Sequence, residues 1–252
     1  YGDLDLSIIN QLPAGRQPIL TKVVAEEKRP AAYNFIREQI KNGRQAFVIC
    51  PLIDISDKLG VKSVKEEYKK LNEQTFPDLE IGMMHGKLSA KEKKEIMQRF
   101  KNNKIKIIVS TSVVEVGIDI PNATIMMIEG ADRFGLAQLH QFRGRVGRDK
   151  HQSYCFLFTS STETKTKERL AALEKYRDGF ALAKIDLKFR GPGELYGTSQ
   201  AGFPELKIAS LFDYELIKKA RAEVEKIIAT GIDKYPQLLK QAKKSIEIMH
   251  LE

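Results

Sequence analysis

Short apolar runs alternate with amphipathic stretches in the first half of the chain. Four of these runs predict buried strands, because they lack the regularly spaced polar positions of a sheet with one face in water. They are residues 47–50, 106–109, 124–128 and 154–158. Alternation of strands with helices indicates parallel strands joined by right-handed crossovers. The pattern therefore predicts an α/β domain of about 155 residues, a usual domain size, with both faces of its sheet covered.

The polar stretches between these strands predict helices. Pro30–Lys41 can begin with a proline at an early helical position, and Val61–Asn72 is charged and amphipathic. Ser89 and Glu92 have the spacing of a capping box, and the helix that they open would turn Phe100 and Ile96 inward.

From about Thr162 the chain changes to helices around one glycine-rich loop. The helices are expected at Thr164–Tyr176, Asp178–Asp186 and Asp213–Ala229, with a last one from Pro236. The intervening stretch Arg190–Gly197 contains three glycines and a proline, so it predicts an irregular loop.

Composition narrows the function classes. The net charge of +9 is typical of a protein with a polyanionic partner such as nucleic acid. A basic surface without any partner explains the charge equally well. The two cysteines form no CxxC pair, so we expect no metal site and a reduced, cytoplasmic setting. No signal peptide or membrane span is expected, and the missing initiator Met suggests a piece of a longer protein.

The stretch from Gln138 to Arg148 is the most specific in the chain. Leu136–Arg145 has helical spacing, which predicts that Arg145 and Arg148 project from one helical face. Two guanidinium groups side by side suit the oxygens of a transferring γ-phosphoryl group. A basic surface turn that touches nucleic acid loosely is the alternative.

A second stretch, Ser110–Pro121, follows a predicted strand. Hydroxyl side chains at the carboxyl end of a parallel strand lie where open α/β sheets bind ligands, and nearby backbone N–H groups can hold phosphates. An ordinary strand-to-helix turn explains the stretch equally well.

These two stretches resemble motifs V and VI of superfamily 2 helicases, and the match extends over Gly43–Arg148 when Met84-His85-Gly86 is included. The resemblance implies a RecA-like fold, with arginine fingers that act on ATP held by a partner domain. The residues implied as fingers are Arg145 and Arg148. The nucleotide cleft would be lined by Gly117, Asp119 and Gln141, and DNA would be contacted by Thr111, Ser112 and His85.

A third stretch, Asp186–Gly202, is similar to the translocation motif of the RecG family. There a helical hairpin, here Thr164–Asp186, precedes an extended loop. The resemblance implies a network that couples the ATP state to the loop on duplex DNA, formed by Arg143, Arg169, Arg190 and Gln200. A rigid interdomain loop is the plainer alternative. The implied organisation is a linker at 1–18, a RecA-like domain at 19–160, and a hairpin, loop and C-terminal helices at 161–252.

The resemblance also implies the activity of the full-length protein. It would be an ATP-dependent DNA helicase on branched DNA and stalled replication forks, in recombination and repair. A first motor domain would hold most of the ATP and Mg²⁺ contacts, and a wedge domain would split the fork. No GxxxxGK[ST] motif or DExH box occurs in this chain, so we expect no ATPase activity from it alone.

Three rivals remain. The domain could belong to a transcription-repair coupling translocase or to an RNA helicase. It could be a stand-alone module that binds nucleic acid without ATP. A purely structural partner domain is the third.

Overall fold

The computed structural model describes residues 17–51, 61–111, 120–190 and 214–240. Four of the predicted site residues lie outside these ranges: Ser112, Gly117, Asp119 and Gln200. The predicted glycine-rich loop after Arg190 lies outside them as well.

A six-stranded sheet forms the centre of the larger compact unit, which spans residues 10–189. All of its pairings are parallel, in the order β1-β6-β5-β2-β4-β3. The strands are β1 Leu20–Val24, β2 Gln45–Ile49, β3 Ile81–Met84, β4 Ile107–Ser110, β5 Ala123–Ile128 and β6 Tyr154–Phe158. The predicted parallel α/β fold is confirmed.

The four predicted strands are the four central ones, and the two missed strands are the edges. Strand β1 mixes exposed positions, Leu20 and Lys22, with the buried Thr21 and Val24, since only part of an edge strand is covered. Strand β3 is short and contains Gly82, which weakens its strand signal. A Cβ at Gly82 would lie 3.1 Å from Cδ1 of Ile105, so close packing favours glycine there.

Helices cover both faces of the sheet, as predicted. On one face lie α1 Arg29–Lys41 and α2 Val61–Lys70, which continues as a π-helical turn, Leu71–Thr75. On the other face lie α3 Ala90–Lys101, α4 Leu136–Arg143, α5 Thr164–Lys175 and α6 Gly179–Arg190. Short 3₁₀ turns, Glu26–Lys28 and Ala131–Arg133, precede α1 and α4.

The predicted start of α3 is confirmed. The hydroxyl of Ser89 accepts from the backbone N–H of Glu92, and the Glu92 carboxylate accepts from the Ser89 backbone N–H, so the capping box is complete. Phe100 is fully buried and Ile96 is partly buried against the same core. The face of α3 that packs against the core is therefore the predicted one.

The hairpin of α5 and α6 belongs to the same compact unit as the sheet. The break between its helices is at Asp178, as expected, and the Asp178 carboxylate accepts from the backbone N–H groups of Phe180 and Ala181. Helix α6 ends at Arg190, four residues beyond the predicted end at Asp186.

The second compact unit includes α7, Tyr214–Thr230, which confirms the helix expected there. Gly231 follows with a φ of 92°, then a 3₁₀ turn, Ile232–Lys234, and helical residues 236–240. Within the part of the chain that the structure describes, no helix is long and apolar enough to cross a membrane.

Candidate nucleotide and nucleic-acid site

The described candidate DNA-contact residues lie at the carboxyl edge of the sheet, where open α/β folds bind ligands. Thr111 follows β4 and is buried, with 2 % of its surface exposed. His85 follows β3 and is partly buried. The turn Gly130–Gly135 follows β5 and leads into α4. The sheet thus brings Thr111 and His85, from two of the predicted motifs, to one edge. The segment with Arg145 and Arg148 lies elsewhere, beside the amino ends of β1 and β6, because a Cβ at Gly147 would lie 3.0 Å from Ile19 and 3.8 Å from Ser153.

The helix that precedes the two arginines is shorter than predicted. Helix α4 ends at Arg143 with Gly144 as its C-cap, so the expectation that Arg145 and Arg148 share a helical face is wrong. The backbone N–H of Arg145 still donates to the Phe142 carbonyl at 3.0 Å, which closes a final turn. A glycine at the C-cap and another three residues later end the helix, since glycine disfavours helix interiors.

Gly147 is required by both its backbone conformation and its close packing. Its φ is +77°, and a Cβ there would lie 3.0 Å from Cγ1 of Ile19. The segment that carries Arg145 and Arg148 therefore packs directly against the residues that lead into β1. Both arginines are partly exposed, and Gln141 is exposed on α4.

Arg143 is a buried cap for the end of α5. Its Nη1 donates to the carbonyls of Leu173 at 2.8 Å and Tyr176 at 3.0 Å, and its Nη2 donates to that of Arg177 at 3.1 Å. These are carbonyls that a helix C-terminus leaves without partners. The side chain is 5 % exposed, and burial lowers the pKa of its guanidinium.

His140 holds Arg143 in this position. Its Nδ1 lies 2.7 Å from Nη2 of Arg143, and because an arginine can only donate, Nδ1 is the acceptor. Burial, together with the nearby Arg143 charge, lowers the pKa of His140 and favours that neutral form. His140 is not among the residues predicted from the sequence, although its spacing of three residues from Arg143 was the available signal.

Arg169 joins α5 back to the turn before α4. Its two terminal nitrogens donate to the carbonyls of Phe134 and Asp132, both at 2.7 Å. The carboxylate of Asp132 in turn accepts from the Thr159 hydroxyl at 2.6 Å. Arg143 and Arg169 therefore both bind backbone carbonyls. Of the other two residues implied in the coupling network, Arg190 is the last residue of α6 and Gln200 lies outside the described residues.

A cavity of about 210 Å³ lies beside the arginine segment. Its lining includes Ile19, His140, Gly147 and Arg177. Among the described residues no group of three acidic, histidine or cysteine side chains could hold a metal ion.

His85 lies in positively charged surroundings. Burial lowers the pKa of its imidazole, and the nearby charges of Lys65 and Lys87 lower it further. Its buried Nδ1 has no hydrogen-bond partner among the described residues. This end of the sheet therefore offers positive charge to an anionic ligand.

The sequence of the chain matches two family models. The model of the helicase conserved C-terminal domain matches residues 27–150. The model of ATP-dependent DNA helicase RecG, domain 3, C-terminal, matches residues 176–246.

Curated relatives share the sequence over most of the chain. The chain is 47% identical over 241 residues, 94% of its length, to the ATP-dependent DNA helicase RecG of Synechocystis sp.. It is 45% identical over 234 residues, 92% of its length, to that of Thermotoga maritima. A structure of RecG bound to a three-way DNA junction matches 86% of the chain with 42% identity and a TM-score of 0.66.

A six-stranded parallel α/β sheet, together with the match to the helicase conserved C-terminal domain, defines a RecA-like domain of the helicase C-terminal type. The chain belongs to the RecG family of ATP-dependent DNA helicases. It spans 29% and 30% of the length of the two relatives and 28% of the RecG chain on the junction.

Proposed function

We propose that the chain is the second motor domain of an ATP-dependent DNA helicase of the RecG type. The observation that carries the proposal is the segment after α4, which presents Arg145 and Arg148 partly exposed while Val146 between them is 1 % exposed. Burial of Val146 fixes the backbone, so that the two guanidinium groups leave a rigid support. Arg145 and Arg148 then act as arginine fingers in this proposal.

The phosphates that these arginines contact belong to ATP bound chiefly by another RecA-like domain of the same full-length protein. Two guanidinium groups fit phosphate oxygens by charge and by geometry. Gly117, Asp119 and Gln141 complete this side of the nucleotide cleft. The P-loop Lys and the acidic residues for Mg²⁺ are absent from the sequence, so the chain alone is inactive as an ATPase.

Branched DNA is the proposed substrate, with stalled replication forks as its setting in recombination and repair. The RecG structure that the chain resembles is described as bound to a three-way DNA junction. His85 among its lysines, Thr111 and Ser112 contact the DNA backbone in this proposal. A net charge of +9 supports the same choice, because neutralised phosphates release counterions.

Coupling between nucleotide and DNA runs through the hairpin. Arg143 and Arg169 tie α4 to α5 through five backbone carbonyls in all. A movement of α4 is therefore transmitted to α5 and α6, and through Arg190 to Gln200 and the loop on DNA.

The test is ATP turnover by the full-length protein with Arg145→Ala or Arg148→Ala. Loss of an arginine finger is expected to lower DNA-stimulated kcat on the order of a thousand-fold, with binding of fork DNA retained. Arg99→Ala is the matched control, because Arg99 pairs with Glu80 beside β3, the edge strand at the other end of the strand order from β1. Unchanged turnover in both finger variants contradicts the assignment.

A motor of the transcription-repair coupling type is the second candidate. The match of residues 176–246 to the RecG model favours the first. Unwinding of fork DNA by the full-length protein, without RNA polymerase, separates the two.

A further inference from the structure

A buried ion pair lies beside the turn that leads into α4. Nη1 and Nη2 of Arg29 donate to the two carboxylate oxygens of Glu129 at 3.0 and 2.9 Å. The two side chains are 13% and 9% exposed. The Arg29 guanidinium also lies 4.8 Å from the ring centre of Phe158 and donates to the Tyr33 hydroxyl at 3.0 Å. Its orientation is therefore fixed from several sides.

The pair connects elements that are far apart in sequence. Arg29 is the first residue of α1, and Glu129 follows β5 directly. The Glu129 backbone N–H also donates to the Ile49 carbonyl at 2.9 Å, which continues the pairing with β2. Gly130 comes next with a φ of +54°, and the 3₁₀ turn Ala131–Arg133 follows. Whatever fixes Glu129 thus fixes the first residue of this turn.

The same turn is held from the other face of the sheet by Arg169. That arginine extends from α5 and binds the carbonyls of Asp132 and Phe134. Two arginines from opposite helical layers therefore hold one short segment, Arg29 through a carboxylate and Arg169 through backbone oxygens. Helix α4 begins at Leu136, directly after this turn ends at Gly135.

A buried ion pair is a weak source of stability, since the desolvation of both charges offsets much of their attraction. Apolar side chains of similar size often give equal or greater stability. The bidentate pair differs from an apolar pair because it fixes the relative orientation of the two side chains. A planar guanidinium fits a carboxylate in few orientations.

We propose that Arg29 and Glu129 are positioning residues for the reaction: they set the angle at which the turn 130–135 delivers α4, and with it Arg145 and Arg148. The role of the pair in ATP turnover rests on the proposed function. The role of the pair in ordering the turn does not, and it can be measured on the chain itself.

The experiment compares two double variants, Arg29→Met with Glu129→Met, and Arg37→Met with Asp78→Met. The second is the matched control, because Arg37 also leaves α1 to pair with a carboxylate but makes its contacts away from the turn. Hydrogen exchange is followed at the amides of Arg133 and Phe134, which donate to Gly130 and Ala131 within the turn.

The proposal predicts that the first variant keeps the urea midpoint of the wild type while exchange at Arg133 and Phe134 rises about ten-fold. The control leaves that exchange unchanged. Unchanged exchange in the first variant overturns the proposal, and so does faster exchange that extends equally over β2 and β5. If the double Met variant does not fold, Glu129→Gln, which keeps one acceptor oxygen, is judged by the same criteria.

In the full-length protein, Glu129→Gln is expected to lower kcat for ATP about ten-fold with KM changed less than about two-fold, since misplaced fingers weaken only the transition state. An unchanged kcat overturns the catalytic part of the proposal if Arg145→Ala abolishes turnover. If Arg145→Ala has no effect, the proposed function fails, and the exchange measurement still decides whether the pair orders the turn.

Discussion

Arg143 and Arg169 form reciprocal clamps between α4 and α5. Arg143 extends from the end of α4 to three carbonyls at the end of α5, and Arg169 extends from α5 to two carbonyls just before α4. Each helix is therefore held at its terminus by a side chain of the other. Carbonyls at these positions have no helical partner, so each clamp also removes a desolvation penalty.

Replacement of Arg143 is the first test of this arrangement. Arg143→Met keeps the apolar length but leaves three carbonyls without their donor, and we expect a loss of about 2–4 kcal/mol in unfolding free energy. Urea unfolding of the chain measures it. The neighbouring Arg177→Ala is the control, because only the backbone carbonyl of Arg177 takes part and its side chain is exposed. Equal effects of both substitutions would show that the clamp contributes little.

The second clamp depends on the shape of the guanidinium group. Arg169→Lys retains the charge but replaces a planar fork with one ammonium group, which cannot reach both carbonyls in the same geometry. The expected loss is about 1–2 kcal/mol. Lys167→Ala, an exposed change on the same helix, should stay within about 0.5 kcal/mol. A lysine variant as stable as the wild type contradicts the bidentate role.

The strands of the sheet were predicted from the sequence more accurately than the geometry of the site was. The central strands are buried on both faces, so a continuous apolar run such as β5 is unambiguous. At the arginine segment, spacing alone predicted a longer helix, because local periodicity does not reveal that Ile19 packs against Gly147. The hydrogen bonds of Arg143 and Arg169 to backbone carbonyls could not be predicted either, because every residue has a carbonyl and the residue type does not show which one accepts.

Gly147 can be compared with a second glycine of similar backbone conformation. Gly43 has a φ of +84° with nothing within 4 Å of an added Cβ, whereas a Cβ at Gly147 would approach Ile19 to 3.0 Å. Gly43→Ala should therefore cost only conformational strain, about 1 kcal/mol, and Gly147→Ala about 1–2 kcal/mol more. Thermal unfolding of both variants measures the difference. Addition of Ile19→Ala should reduce that excess, and a persistent excess would exclude the Ile19 contact as its cause.

Glu67 makes the stability of the chain depend on pH. Burial and, next, the charge of Glu129 raise the pKa of its carboxyl to about 7, against the nearby positive charges of Lys70 and Arg29. The folded pKa thus exceeds the usual value of 4.5, so the folded state binds more protons than the unfolded state between these values. Stability from this group is therefore complete below pH 4.5 and is lost as the pH rises through about 7.

Glu67→Gln removes that loss, because a neutral amide needs no proton. We expect the variant to gain about 1–3 kcal/mol relative to the wild type at pH 8, and little at pH 4.5. The gain is limited because Lys70, which lies 3.7 Å from Glu67, loses its partner. Urea midpoints of both proteins across this range measure the difference. A difference that is the same at both ends of the range would mean that Glu67 titrates in the folded chain as it does in the unfolded one.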